Sequence, residues 1–128
     1  MRRVDIAPER WAAKLDEFSR VHEWALVSID IWTAGLGKRR EVANLPLLGV
    51  SADRHGTDRT VLMSVACAGD GHITHVVAGV TRLSVEQTTD GVDSALLVDS
   101  ADGTRTVLRF RTAALPGSGV DLIGRNSS

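Results

Sequence analysis

The residues that could do chemistry in this chain are few and stand apart. His72 and His75 have the H-x-x-H spacing that on a helix sets two imidazoles beside one metal ion. Here the neighbours Ile73, Thr74, Val76 and Val77 predict a strand, and an odd offset along a strand sends the two rings to opposite faces. The pair therefore cannot chelate one ion, and His75 is expected to pack on an apolar face. Asp53, His55 and Asp58 fall together in the segment Ala52 to Arg59, read as a loop. Two carboxylates and an imidazole there offer cation binding or proton transfer, against the plainer reading of a solvated connector of alternating charge. Cys67 is the only cysteine, which excludes an intrachain disulfide and a thiolate-rich cluster within one chain. Val65 and Ile73 are its expected surroundings, so it reads as structural rather than nucleophilic. No nucleophile elbow, phosphate-cradling loop or dinucleotide fingerprint occurs, so the sequence predicts no catalytic residue, no metal ligand set and no cofactor.

A second set is basic. Lys38, Arg39 and Arg40 follow the glycine-bearing stretch Ala34-Gly35-Leu36-Gly37, and Arg105, Arg109 and Arg111 alternate near the end of the chain. If the two groups met in space they would form a patch for phosphate or an acidic partner. Beside Asp99, however, arginines on the wet side of a strand read as cross-strand partners. A formal net charge of -1 with no long block of either sign does not favour nucleic acid as a partner. No stretch is apolar enough for a membrane-crossing helix. Met1-Arg2-Arg3-Val4-Asp5 begins like a signal peptide but meets Asp5, Glu9 and Arg10 without an apolar core, so a cytoplasmic location is expected.

These side chains need a scaffold, and hydropathy patterning predicts one. Pro8 to His22 reads as a helix: proline suits its first turn, Asp5 is a cap or pre-cap residue, and Trp11, Leu15, Phe18 and His22 form one stripe. Trp24 to Trp32 switches to period two and predicts a strand. The three tryptophans all lie early in the chain, which predicts an aromatic contact between helix and first strand. A second extended segment runs from Glu41 to Ser51, broken or edged by Pro46. Thr60 to Ala66 and His72 to Val77 form a hairpin. With Gly71 in the left-handed turn position, Cys67 faces Ile73, Val65 faces His75 and Met63 faces Val77. Thr81 to Thr88 follows as a strand.

For the last hairpin, a two-residue loop at Asp102-Gly103 would bury Asp99 on the apolar face. A three-residue loop Ala101-Asp102-Gly103 instead pairs Leu96 with Leu108 and Val98 with Thr106, brings Phe110 onto their face and turns Arg105, Arg109 and Arg111 outward. The second register is preferred because it buries no unpaired carboxylate.

The expected fold is α+β and mostly β: an N-terminal amphipathic helix on a strongly curved antiparallel sheet or a small, partly closed β-barrel. Residues 1–115 form one domain, and 116–128 read as a loosely ordered tail. The stretches Phe18 to Glu23, Leu45 to Asp53, Val85 to Thr88 and Asp102 to Arg111 together resemble a family of short bacterial proteins catalogued as domain-of-unknown-function family 5335. The resemblance implies a stand-alone bacterial domain and supplies no activity.

On these grounds the leading expectation is a non-catalytic binding or interaction domain, with homo-oligomerisation through an exposed strand or the helix as a variant. The alternatives are a small enzyme or metal protein using the loop histidine and carboxylates, and weak phosphate or nucleic-acid binding by the arginines. The binding residues these readings single out are Arg105, Arg109, Arg111, Lys38, Arg39, Arg40, Asp53 and His55.

Overall fold

The computed structural model describes residues 1–114, with side chains through Arg111; the tail expected over 116–128 lies outside the described residues. The helical stripe forms as its spacing predicts. A 3₁₀ turn, Pro8–Arg10, leads into helix α1, Trp11–His22, whose buried side chains are Trp11, Leu15, Phe18 and His22. Asp5 is not its cap. It lies on a strand the sequence reading missed, β1, Arg2–Ile6, where its carboxylate accepts from Arg82 at 2.9 Å.

Seven further strands follow: β2, Leu26–Thr33; β3, Gly37–His55; β4, Asp58–Ala66; β5, His72–Val77; β6, Val80–Gln87; β7, Asp93–Ser100; and β8, Arg105–Ala114. They make one antiparallel sheet in the order β1-β6-β7-β8-β2-β3-β4-β5. Among the described residues the sheet does not close into a barrel: β1 and β5 are its edges, with no ladder between them. Volume explains why. The interior of an eight-stranded barrel is just filled by its own side chains, whereas this concave face also houses Trp11, Leu15 and Phe18 in one core with Val27, Ile29, Leu47, Met63, Leu83, Leu96 and Leu108.

Strand β3 runs through Pro46 without breaking, over 19 residues. Its first half pairs with β2 and its second with β4, and Pro46, which has no N–H to offer, sits close to the changeover. There the Leu47 N–H donates to the Ala25 carbonyl at 2.8 Å and the Trp24 N–H to that of Leu47 at 2.7 Å. The Ser19 hydroxyl ties α1 to the same strand, accepting the Val50 N–H at 2.8 Å. Lys38, Arg39 and Arg40 consequently stand on β3, and the β2–β3 connection shrinks to Ala34-Gly35-Leu36. Likewise Asp53 and His55 are on β3 and Asp58 is on β4, facing His55 across a tight turn at Gly56-Thr57 rather than sharing a loop.

The predicted tryptophan contact does not form. Trp11 is buried, its indole N–H donating to the Ile6 carbonyl at 2.8 Å, while Trp24 and Trp32 are each 48% exposed. The aromatic cluster is instead Phe18, His22 and Phe110, with His22 ring centroids 4.7 and 4.6 Å from the two phenyl rings.

The last hairpin adopts the expected register, Leu96 opposite Leu108 and Val98 opposite Thr106, with Gly103 at φ 89°. The β4–β5 hairpin differs by two residues. Val65 faces Ile73, Met63 faces His75 and Val61 faces Val77; Gly69, at φ 70°, takes the left-handed position in place of Gly71. Because the slip is even, every side chain keeps its face, and His72 and His75 remain on opposite sides.

Candidate functional site

Strand pairing decides which of the basic residues meet. Trp32 on β2 lies opposite Arg105 of β8 on one side and Lys38 of β3 on the other, and Asp30 lies between Val107 and Arg40 in the same way. Lys38, Arg40, Arg105 and Arg109 thus share the convex face, whereas Arg39, between two of them on β3, faces the other way and pairs with Glu41 at 2.7 Å. Arg111 is exposed, and Asp53 and His55 are exposed at the opposite end of β3.

The convex arginines have carboxylates to meet. Arg105 donates to Asp99 at 2.7 Å, and Arg3 reaches the same carboxylate at 3.2 Å. Arg40 grips Asp30 with two bonds, 2.8 and 3.1 Å, and Arg109 lies 3.4 Å from Glu86. The Arg105 hydrogen bond holds the Asp99 carboxyl below the usual carboxylate range despite partial burial, and Arg40 does the same for Asp30. Beneath these pairs lies a small second apolar layer of Ala95, Leu97 and Val107. The arginine stems and their ion pairs roof it, so these charges are largely matched within the fold.

The concave side holds a different constellation, which the sequence reading did not assemble. A cleft of about 610 Å³ opens between α1, β1, β6 and β7. Among its lining residues the Arg2 guanidinium donates to Gln87 Oε1 at 3.0 Å, and Gln87 Nε2 donates to Asp93 Oδ1 at 2.9 Å. Asp93 Oδ2 lies 2.7 Å from His22 Nε2. This relay runs from an exposed edge strand to an imidazole that is 1% exposed and wedged between Phe18 and Phe110. Burial by itself would raise the Asp93 carboxyl; the hydrogen bonds from His22 and Gln87, with the charge of His22, outweigh it and leave the group lowered.

A β-bulge makes the relay possible. Asp93 and Asp99 are an even number apart on β7 and would share a face on a regular strand, but the register shifts between Asp93 and Ala95 turn Asp93 into the core side. The only sequence signal was His22 on the apolar stripe of α1, a polar ring in a buried row that requires a partner. His22 Nδ1 is buried without a hydrogen-bond partner among the described residues. Among the described residues the cleft lining includes no hydroxyl or thiol side chain, and the His22–Asp93 contact ties the end of α1 to the start of β7. Among the described residues no three of His, Cys, Asp and Glu converge on a point where one metal ion could be held, and no helix is long and apolar enough to cross a membrane.

No curated protein and no solved structure matches the chain. The profile of one family does, over residues 3–116, nearly the whole span of the elements described above. The chain belongs to that family, a family of unknown function, DUF5335.

Proposed function

We propose that the protein is a non-catalytic binding domain and that the cleft between α1 and β1, β6 and β7 takes a small amphipathic anion, an aliphatic body carrying one carboxylate or similar head. The composition of the cleft wall carries this reading. Val4, Ile6, Val21 and Val85 present apolar surface, and the volume falls within that of ordinary small-molecule sites. Of the acidic residues around it, Glu17 pairs with Lys14 at 3.6 Å and Asp93 with His22, while Asp5 turns its carboxylate to Arg82 on the other face of β1. Arg2 binds only the neutral Gln87, and Arg10 has no carboxylate partner among the described residues. An anionic head on an apolar body answers both features.

Dodecanoate tests the reading, with dodecyltrimethylammonium as the cationic control of the same chain length. Titration calorimetry should show dodecanoate binding that weakens by about tenfold or more in Arg10→Glu and Arg2→Glu, the scale of one charge-assisted hydrogen bond. Equal binding of the two amphiphiles, or dodecanoate binding indifferent to both variants, would overturn it.

A further inference from the structure

The two edges of the sheet are unlike. Strand β1 carries Arg2, Arg3 and Asp5 and leads through the 3₁₀ turn into α1, charge and neighbouring structure of the kind that blunts an edge. Strand β5, His-Ile-Thr-His-Val-Val, has no Lys, Arg, Asp, Glu or Pro and no bulge in its ladder with β4. Its exposed apolar side chains lie on both faces, Ile73 at 46% and Val76 at 56%.

The ladder also says which backbone groups are free. The Cys67 N–H donates to the Gly71 carbonyl at 3.0 Å, so the hydrogen-bonded positions facing β4 continue at 73, 75 and 77. The N–H and C=O groups of His72, Thr74 and Val76 therefore point away from β4, and among the described residues no strand pairs with them.

We propose that β5 is the interface of a homodimer, in which a second copy adds its own β5 antiparallel to this edge about a twofold axis perpendicular to the sheet. Such an axis leaves every residue on its own face, so only registers that oppose residues of equal parity are allowed. The free row 72, 74, 76 maps onto itself when Thr74 lies opposite its symmetry mate, with His72 against Val76 and Ile73 against His75. Each exposed aliphatic side chain then meets an imidazole instead of water, and no formal charge of one strand confronts a like charge of the other. Burial holds His75 toward its neutral form, with the nearby Glu41 opposing and Arg39 assisting that shift, which suits such a contact. This charge-free self-complementarity selects a second copy over a foreign strand, whose side chains would have no reason to match the row.

Sedimentation velocity on the full chain, between about 10 μM and about 1 mM as befits a short-strand contact of modest area, tests the proposal. The expected result is a monomer–dimer shift, with amide exchange at His72, Thr74 and Val76 slowing by about tenfold as the dimer fills. Val76→Lys places a charge on the edge and should leave a folded monomer throughout. Thr74→Pro deletes an outward N–H and should do the same, which keeps the test decisive if one variant folds poorly. A wild-type monomer at the highest concentration, an open-ended assembly, or a dimer that survives both substitutions with those three amides unprotected would each overturn it.

Discussion

Asp93 and Asp99 begin and nearly end the same strand, yet they belong to different kinds of electrostatics. Asp99 lies on the convex face, where its partner Arg105 keeps 39% of its side chain in water, and a second arginine, Arg3, shares the load. Asp93 sits over the core, where its partner His22 keeps 1%. At an exposed pair the attraction is weakened by solvent and by the entropy of two long side chains. At a buried pair the attraction is strong, but removing one partner strands the other in a medium that cannot solvate it. The convex lattice can lose a member cheaply; the His22–Asp93 clasp cannot.

The largest effect should follow from His22→Ala, which removes the partner of Asp93 and the ring between Phe18 and Phe110. Loss of about 3–5 kcal/mol in urea denaturation is expected, the cost of breaking a buried pair. Asp93→Asn retains the shape and an acceptor for Gln87, and should cost about 1–3 kcal/mol. Asp99→Asn, with Arg105 and Arg3 free to hydrate, should cost less than about 1 kcal/mol, and its penalty should shrink in high salt while that of Asp93→Asn does not. Equal penalties for the two asparagine variants would show that the two carboxylates are held alike.

Asp93 and Asp99 both lie below their ordinary value of 3.8 in the folded chain, so each contributes stability that is fully present above that pH and is lost as pH falls through the lowered folded value. Stability measured from pH 6 downward should therefore fall less steeply in Asp93→Asn than in wild type. The smallest effect concerns His75, which burial holds below 6.5. In that window the unfolded chain binds the proton more readily, so stability should rise gently with pH toward neutrality, and His75→Gln should abolish that slope.

How much of this was legible in the sequence depended on parity. The two candidate registers of the β7–β8 hairpin differed by one residue, so one of them buried Asp99, and the cost of an unpaired carboxylate chose between them. The two registers of β4–β5 differ by two and bury the same side chains, so hydropathy could not separate them; the turn geometry at Gly69 did. Likewise the alternation along β3 already sets Arg39 against Lys38 and Arg40. Only the order of strands in the sheet brings the latter two beside Arg105.

Local periodicity and the cost of burying charge are enough to place the helix stripe, most of the strands, the last register and the separation of His72 from His75. The tertiary structure decided the open sheet, the paired state of the arginines, the relay from Arg2 to His22 and the bare edge at β5. These depend on which distant segments become neighbours, and on a single bulge that turns Asp93 inward, quantities to which local hydropathy is blind.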